Sequence, residues 1–562
     1  MRKNYLFLAC ILSFCSISYE LLFANTLAIM SGNVVLWHSL TIGVYIAGLG
    51  LGTFRSVDVI LPRKKLIKVE LVLSVIGAIS VASIFFITAI YETVISIAKA
   101  GYIADFSAYI TLKTQVRALY FIICESLVFA VGYFSGFELP LLIAMSSSEN
   151  DSIDSSESNE NTFIAFNYFG TLLGTLAFAY FLIPLLDALY TSLVVAGINL
   201  LACFWLLFSS KVHQDKKMAL GATCLSILLI TSFFYAKSFE QIFLRVYYRA
   251  GTAYIDENRH DLKTWWDKTM DGGDVVRTKT LYQYIDYFNV EWKGEDEFVL
   301  MINTNFQFST SNERIYHEAF AHIPVLITNK QPRNVLVLGA GDGLLLRELK
   351  KYKSIVSLIH VELDEGMHDI SRTNPVISAI NEGSLSDPEI KTVIGDAFQF
   401  LRKSEKKYDA IFIDFPYPQD YNVTKLFSYE FYTFVRRNLT EDGYAVFDVP
   451  LRTKEGRLSR ENRRLIETES TFSDDDYERN SIVMSTVAKA GFEIRIPYLV
   501  GKETFLLMTN TKDKLNYDLF NRLSDLYPNL DNDALSLINR QHFPHEINED
   551  FVNSVFHPIL VD

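Results

Sequence analysis

The sequence has 562 residues, half of them hydrophobic, and a formal net charge of −13, so several domains can form. This acidic balance argues against a nucleic-acid partner, because binding nucleic acid needs a basic face. All five cysteines lie at or before Cys224, so the later, polar part has neither a disulfide framework nor a thiolate metal site.

Residues 1–236 are predicted to form a multi-pass membrane domain, because their apolar runs are close to the ~20 residues that a spanning helix needs. About seven runs occur, at 6–23, 36–52, 71–90, 118–145, 163–186, 190–208 and 219–235. Basic loops near 55–65 and 211–217 indicate cytoplasmic ends and a cytoplasmic N-terminus. Seven crossings would export the rest of the chain, so we expect one run, 118–145, to be miscounted.

Three carboxylates, Glu20, Glu125 and Glu138, lie inside these apolar runs. A carboxylate in a bilayer is costly and is a functional candidate. Each of them either lies near a span end or bonds a neighbouring helix, or it belongs to a site or path for a cation.

The chain becomes polar after the membrane runs. Residues 237–276 are predicted to be a linker, and 277–330 a small β domain. The alternating, aromatic-rich segment 278–310 predicts a β-hairpin or meander there. Residues 331–562 are predicted to form an α/β Rossmann-like domain of the class I methyltransferase type.

A glycine-rich turn opens this last domain in VLVLGAGDGLLLREL (335–349). The apolar run predicts a buried strand and the following residues a helix, so Gly339 and Gly341 lie in the turn between them. Glycine allows a ligand to approach the backbone there. The spacing differs from the dinucleotide pattern, because Leu344 stands where the last glycine is expected.

The next three predicted strands each end in a carboxylate: Glu362, Asp396 and Asp414. Open α/β sheets bind ligands at the carboxyl ends of their strands, and an acidic residue in the place of Glu362 contacts ribose hydroxyls. Helix N-capping is an alternative role for Asp396.

Ordered motifs from residue 280 to about 505 resemble the spermidine synthase (polyamine aminopropyltransferase) family, in its membrane-fused bacterial branch. The motifs are LYQYI, LMINTNFQFSTSNERIYHEAFAHIP, VLVLGAGDG, VELD, IGDAFQFL, FIDFPYP and KLFSYEFY. The resemblance implies transfer of the aminopropyl group of decarboxylated S-adenosylmethionine, a co-substrate, to an amine. It implies no prosthetic group or metal.

The resemblance also assigns roles to residues. Asp414 would be the catalytic proton acceptor. The adenosyl part would bind at Gln283, Gly339, Gly341, Glu362, Asp396 and Ala397. The amine side would be lined by His317, Asp342, Tyr316, Gln307 and Tyr417.

Two departures from the family pattern affect the acceptor. Tyr417 stands where the family usually has a second aspartate, and GKETFLLM (501–508) lacks the expected tryptophan. Tyrosine can hydrogen-bond but cannot neutralise an ammonium at pH 7. These departures weaken the assignment of putrescine and leave room for another amine, so the expected acceptor is putrescine or a related amine.

Two other functions are compatible with the sequence. A methyltransferase using intact S-adenosylmethionine would need the same glycine turn and Glu362, and a non-catalytic polyamine transporter or sensor would explain the carboxylates in the apolar runs. The resemblance favours an enzyme of the inner (plasma) membrane with a cytoplasmic catalytic domain and a possible homo-oligomer. His322 and His360 lack paired ligand spacing and are expected to be structural.

Overall fold

The computed structural model divides into two compact units, Met1–Val275 and Val276–Asp562, which are considered separately. The described residues are 2–31, 34–56, 59–101, 106–148, 156–209, 216–257, 261–292, 295–416, 418, 421–448, 474–500, 503–511, 515, 535–536 and 548–560.

The first unit is helical, which lets a long apolar segment satisfy its backbone groups internally. Its described helices are α1 (Arg2–Ser31), α2 (Val34–Arg55), α3 (Pro62–Gly101), α4 (Phe106–Ser135), α5 (Glu138–Ser148), α6 (Ser156–Ala177), α7 (Ile183–Phe208), α8 (Lys216–Glu257) and α9 (Leu262–Met270). Much of the predicted linker 237–276 continues α8 and then forms α9. The guanidinium groups of Arg245 and Arg249 in α8 donate to the carbonyls of Met270 and Asp271.

Within the described residues, six stretches are long and apolar enough to cross a membrane, judged by length and composition. They are Asn4–Met30, Val34–Arg55, Pro62–Lys99, Ala108–Ser147, Glu160–Phe208 and Lys216–Gly251. The sequence predicts about seven runs. The difference arises at Glu160–Phe208, which contains both the 163–186 and the 190–208 runs.

This stretch folds back on itself at Asp187, whose backbone leaves the helical region (φ 58°, ψ 172°). The Thr191 hydroxyl donates to the Leu182 carbonyl at 3.2 Å. A straight helix would hold positions nine residues apart at ~13 Å. The two apolar runs are therefore two legs of a helical hairpin.

The second unit begins with a four-stranded antiparallel sheet in the order β1-β2-β3-β4, which confirms the predicted meander. The strands are β1 (Val276–Lys279), β2 (Tyr284–Trp292), β3 (Glu295–Ile302) and β4 (Asn305–Ser309). Asn303 and Thr304 join β3 to β4, and both have positive φ, as a two-residue type I′ turn requires.

An eight-stranded mixed sheet forms the rest of this unit, in the order β12-β10-β11-β9-β8-β5-β6-β7. Its strands are β5 (Asn334–Gly339), β6 (Ser357–Glu362), β7 (Ile390–Ile394), β8 (Tyr408–Asp414), β9 (Leu439–Asp448), β10 (Ile494–Val500), β11 (Glu503–Thr509) and β12 (Leu535–Ser536). The five strands from β9 to β7 are parallel, and β10, β11 and β12 pair antiparallel. The predicted Rossmann-like fold is confirmed.

Helices cover both faces of this sheet, so its central strands are apolar on both sides. Leu336 and Ile411 belong to one core, and Val337 and Phe412 to the other. The described helices are α10 (Glu313–Thr328), α11 (Leu344–Leu349), α12 (Glu365–Thr373), α13 (Pro375–Ile380), α14 (Ala397–Lys403), α15 (Tyr421–Thr424), α16 (Tyr429–Asn438) and α17 (Asp474–Lys489).

The chain order reverses between the neighbouring strands β5 and β8. From β5 the chain continues to β6 and β7 on one side, and it then returns to β8 and β9 on the other. Such a switch point opens a crevice at the carboxyl ends of the two strands, where α/β sheets bind ligands.

Candidate active site

Four polar side chains meet at the carboxyl ends of β5 and β8. Asp414 ends β8, and its Oδ1 accepts a 2.9 Å hydrogen bond from the Tyr316 hydroxyl of α10. His317, also on α10, has its Nε2 3.8 Å from Asp342 Oδ2. Asp342 is fixed by the Leu344 N–H, which donates to its Oδ1 at 2.9 Å. The arrangement can bind a cation and accept a proton.

The partly buried setting of Asp414 makes it a better base than an ordinary aspartate. Burial and the charge of Asp342 raise the pKa of Asp414 to about 6, against the lowering effects of His317 and Tyr316. Burial alone would lower the pKa of His317, but its hydrogen bond to Glu313 and the nearby carboxylates raise it above the ordinary value. Asp414 is thus mostly ionised at pH 7.

Gly339 brings the glycine turn close to Asp414. The two residues are register partners in the parallel pairing of β5 with β8. Gly339 has φ +79°, and a Cβ there would overlap the carbonyl oxygen of Asp414. Glycine at this position is required by both its backbone conformation and the space available.

We expect Gly339→Ala to destabilise the protein by about 3 kcal/mol, since left-handed strain costs ~1–2 kcal/mol and overpacking adds ~1–3 kcal/mol. The matched control is Gly383→Ala, because Gly383 also has positive φ (+68°) but nothing lies within 4 Å of its Cβ position. Thermal unfolding of both variants checks this. Equal losses at the two positions would contradict the role of the Asp414 contact.

Glu362, at the end of β6, faces the same turn. A Cβ at Gly341 would lie 2.8 Å from Glu362 Oε2, so this glycine leaves room beside the carboxylate. Glu362 Oε1 accepts from the Asp364 N–H at 2.8 Å. Burial raises the pKa of Glu362 to about 7. The free carboxylate oxygen can accept hydrogen bonds from a hydroxyl-bearing ligand.

Asp396 has the capping role that the sequence left open. Its Oδ1 accepts from the N–H groups of Phe398 (2.7 Å) and Gln399 (3.3 Å) at the start of α14. Its Oδ2 accepts from Lys425 Nζ at 3.0 Å. Ala397 is buried beside it as the first residue of α14. A ligand role for Asp396 would be additional to the cap.

Two of the other predicted site residues belong to the meander, and one is not among the residues that the structure describes. Gln283 lies in the β1–β2 turn, where its N–H donates to the Thr280 hydroxyl at 3.0 Å, and Thr280 in turn donates to Asp364 at 2.7 Å. Gln307 is an exposed residue of β4. Tyr417 lies outside the described residues.

A buried charge network behind His317 was not predicted from the sequence. Arg347 on α11 pairs bidentately with Glu313 on α10, at 2.9 and 2.8 Å, and its Nε donates to Glu348 at 2.8 Å. His317 Nδ1 donates to the Glu313 carbonyl at 2.7 Å and lies 3.3 Å from its carboxylate. The available signal was the charged pair Arg347–Glu348 inside an apolar helix, LLLREL.

His322 and His360 are hydrogen-bonded inside the protein, as expected for structural histidines. The ring of His322 bonds Glu348 at 2.9 Å and Tyr352 at 2.7 Å. His360 Nε2 donates to the Gly339 carbonyl at 2.8 Å. Within the described residues, no group of three His, Cys, Asp or Glu side chains could hold a metal ion.

Comparisons with known proteins agree with this geometry. A family model described as the spermine/spermidine synthase domain matches residues 313–449. Polyamine aminopropyltransferase 1 of Streptomyces coelicolor is 30% identical over 433 residues, covering 76% of this chain and 72% of that protein. Polyamine aminopropyltransferase 2 of Aquifex aeolicus is 28% identical over 519 residues, covering 90% of this chain and 87% of that protein.

Among solved structures, a spermidine synthase in complex with the transition state analogue AdoDATO is similar, with 23% sequence identity and a TM-score of 0.35. The similarity covers 44% of this chain and 78% of that one. Both aminopropyltransferase relatives align over far more residues than Val276–Asp562 contains, so the likeness extends into the helical unit. The resemblance drawn from the motifs is confirmed: this chain belongs to the polyamine aminopropyltransferase (spermidine synthase) family, and it is an enzyme.

Proposed function

We propose that this enzyme moves the aminopropyl group of decarboxylated S-adenosylmethionine onto putrescine or a related amine. The products would be methylthioadenosine and a spermidine-type polyamine. The observation that carries the proposal is the partly buried Asp414 carboxylate, which is hydrogen-bonded by Tyr316 and lies with His317 and Asp342 at the switch point of the sheet.

The acceptor amine has to lose a proton before it can attack. A primary amine with a pKa of about 10.4 is mostly protonated at pH 7, so the neutral form costs about 4.6 kcal/mol. Asp414, with its pKa raised to about 6, is a stronger base than an ordinary aspartate. The raised pKa reduces the difference between the pKa of the substrate ammonium, which gives the proton, and that of Asp414, which accepts it. The ionised carboxylate still attracts the ammonium.

The reaction moves positive charge from sulfur to nitrogen. The amine lone pair forms a C–N bond with the aminopropyl carbon attached to sulfur, and the C–S bond breaks with its electrons going to sulfur. The sulfonium becomes a neutral thioether. The new secondary ammonium keeps its two protons, because the one proton released in the reaction has already passed from the acceptor amine to Asp414. The Asp342 carboxylate, fixed near the nitrogen, stabilises the charge that develops there.

Glu362 would hold the ribose hydroxyls of the co-substrate, and Asp396, Ala397 and Gln283 would surround its adenine. Gly341 leaves the space beside Glu362 that such a ligand would fill.

Co-substrate binding should release protons from Glu362. Its pKa is raised to about 7, so about half of the chains carry this proton at pH 7. Hydrogen bonds from ribose hydroxyls and a nearby sulfonium favour the ionised form. We therefore expect release of up to about half a proton per chain at pH 7, and almost none at pH 9.

Calorimetric titrations in buffers of different ionisation enthalpy measure this release. Glu362→Gln should abolish it and weaken binding about 10- to 100-fold, because hydrogen bonds to a charged group are lost. Heats that do not depend on the buffer in the unmodified protein would rule out this role of Glu362.

The proposed function is tested by incubating the full chain with decarboxylated S-adenosylmethionine and a panel of amines. Methylthioadenosine that forms only with one amine would support the proposal and name the acceptor. S-adenosylhomocysteine formed from intact S-adenosylmethionine would instead indicate a methyltransferase.

We also propose that the helical unit anchors the enzyme in the inner (plasma) membrane, with the catalytic unit in the cytoplasm. A hairpin ends on the side where it began, so a cytoplasmic N-terminus and a cytoplasmic catalytic unit require that one of the five other candidate spans does not cross the membrane. Crossing by all five would export it. Protease access to a C-terminal tag in oriented vesicles distinguishes the two topologies.

A further inference from the structure

The helical unit contains a buried polar cluster that the proposed chemistry does not use. We call Tyr19, Glu70, Glu138 and Asn199 the carboxylate cluster. Tyr19, Glu70 and Asn199 are fully buried, and Glu138 is 6% exposed. Glu138 lies inside the predicted apolar run 118–145. Glu70 lies just before the run 71–90, after the lysine-rich start of α3, and was not a candidate from the sequence.

The packing of α1 on α7 turns two members of the cluster inward. The Cys15 thiol of α1 lies 3.9 Å from the Val195 carbonyl of α7. Tyr19 and Asn199 each follow these contact residues by four positions, which is about one helical turn on the same face. Both side chains therefore lie on the faces that α1 and α7 present to each other. They lie on opposite sides of the Cys15–Val195 contact, because the two helices are antiparallel and the Tyr5 ring packs 6.0 Å from that of Trp205.

Helix α3 brings Glu70 to the same place. The Cys203 thiol of α7, one turn beyond Asn199, lies 3.9 Å from the Ile67 carbonyl of α3, and Glu70 follows Ile67 by three positions. Tyr19 also reaches α3, because a Cβ at Gly77 would overlap its phenol ring and hydroxyl. Gly77 follows Glu70 by seven residues, so it lies on the same face of α3 about two turns, ~10 Å, further along the helix.

Glu138 approaches α3 from the start of α5. The preceding residue, Phe137, has its ring 4.7 Å from Lys65 Nζ of α3. The charges of Glu138 and Glu70 act on each other, and both act on Tyr19. The cluster is therefore one electrostatic group, although its members come from four helices.

Six polar atoms of the cluster have no hydrogen-bond partner within the described residues. Both Glu70 carboxylate oxygens, Glu138 Oε1, the Tyr19 hydroxyl and both amide atoms of Asn199 lack a hydrogen bond. A buried polar atom without a partner costs ~1–3 kcal/mol, and more when it is charged. Glu125 in the same unit differs, because its Oε1 accepts a bond from Thr41 at 3.4 Å and only its Oε2 lacks a partner within the described residues. Six unpartnered polar atoms on packed, buried helices point to a ligand.

We propose that the carboxylate cluster binds the ammonium group of an alkylamine. Two carboxylates without a hydrogen-bonded basic partner favour a cation, and an ammonium has three N–H donors for the oxygens of Glu70, Glu138 and Asn199. The ring of Tyr19 can add a cation–π contact. The six side-chain oxygens of the cluster only just meet the six to eight that a calcium ion takes, so calcium binding is measured in the test below.

We choose an amine rather than another cation because amines are the substrate and the product of the proposed aminopropyl transfer. This choice therefore rests on the proposed function. The test therefore measures binding and turnover separately, with the full chain in detergent. Equilibrium dialysis with labelled putrescine or spermidine, without co-substrate, counts the amine sites per chain. Amine-dependent methylthioadenosine formation is measured on the same preparation, and its absence would refute the proposed function alone.

We expect two amine equivalents per chain, one in the catalytic unit and one in the cluster. Glu70→Gln should remove one equivalent and leave methylthioadenosine formation unchanged, and Glu138→Gln should weaken the second site at least tenfold. The matched control, Glu125→Gln, should keep both sites. A single equivalent in the unmodified chain, two in Glu70→Gln, or sodium or calcium binding that depends on Glu70 would overturn the proposal.

Discussion

Asp414→Asn should lower kcat for methylthioadenosine formation by about 1000-fold, within the ~10²–10⁴ range that a general base contributes. Asparagine has nearly the same shape and still offers an oxygen to the Tyr316 hydroxyl, which donates to Asp414 at 2.9 Å. It cannot take the proton of the acceptor amine. Rapid-quench or steady-state measurement of methylthioadenosine gives the ratio.

Binding of decarboxylated S-adenosylmethionine should change little in this variant, because the proposed co-substrate residues lie on other strand ends. Asp409→Asn is the matched control on the same strand. Asp409 accepts from backbone N–H groups of Arg333 and Asn334 at the opposite end of β8, so kcat should be retained. A loss of less than tenfold in Asp414→Asn would exclude a proton-accepting role.

The same residue sets an expected pH dependence. The pKa of Asp414 is raised to about 6, so the carboxylate is ionised above this pH and protonated below it. With co-substrate saturating, kcat/KM for the amine should fall about tenfold per unit as the pH drops below about 6. Asp414→Asn should lose this limb of the profile. A profile that is unchanged between pH 5 and 7 would contradict it.

Sequence predicts those elements of the fold that depend on the local pattern of apolar, polar and glycine residues. The strand, glycine turn and helix at 335–349 follow from local sequence pattern. Carboxylates at the carboxyl ends of parallel strands lie at the same edge of the sheet, whatever the length of the connecting loops. This explains why Glu362, Asp396 and Asp414 could be expected at one edge of the sheet, whereas Asp342 was assigned to the site only by the resemblance. The pattern does not identify which partner each side chain takes.

Composition separates the apolar runs 163–186 and 190–208, and the chain reverses between them at Asp187, but composition does not show this reversal. Apolar length sets how many residues form a helix, but the reversal depends on one residue with φ 58°, between two runs that both read as spans. Similarly, Asp396 could be read from sequence as a ligand or as a cap. The structure shows the cap, because two N–H groups at the start of α14 donate to it.

The Glu313–Arg347 pair could not be predicted because its two residues are far apart in sequence and meet only when α10 packs against α11. Glu313, Arg347 and the second partner of Arg347, Glu348, are each at most 3% exposed. A buried ion pair contributes little net stability, but removing one partner leaves an uncompensated charge in a low-dielectric interior. The pair also fixes the carboxylate beside His317.

Arg347→Met should therefore destabilise the protein by about 3–5 kcal/mol, because Glu313 and Glu348 lose their shared counter-charge while the methionine fills the space. The melting temperature should fall by about 10 °C in thermal unfolding of the full chain. The matched control is Arg372→Met, which breaks a 3.2 Å pair with Asp369 whose side chains are 46% and 55% exposed. Its loss should be at most about 1 kcal/mol.

The double variant Glu313→Gln with Arg347→Met separates the unpaired charge from the lost packing. If the uncompensated Glu313 carboxylate causes the loss, the double variant should be more stable than Arg347→Met alone, since one buried charge has been removed. Simple addition of the two single losses would mean that the residues act independently. The single variant Glu313→Gln keeps a hydrogen bond to Arg347 but removes the charge that helps to raise the pKa of His317. Its effect should therefore appear in the pH profile of kcat more than in stability.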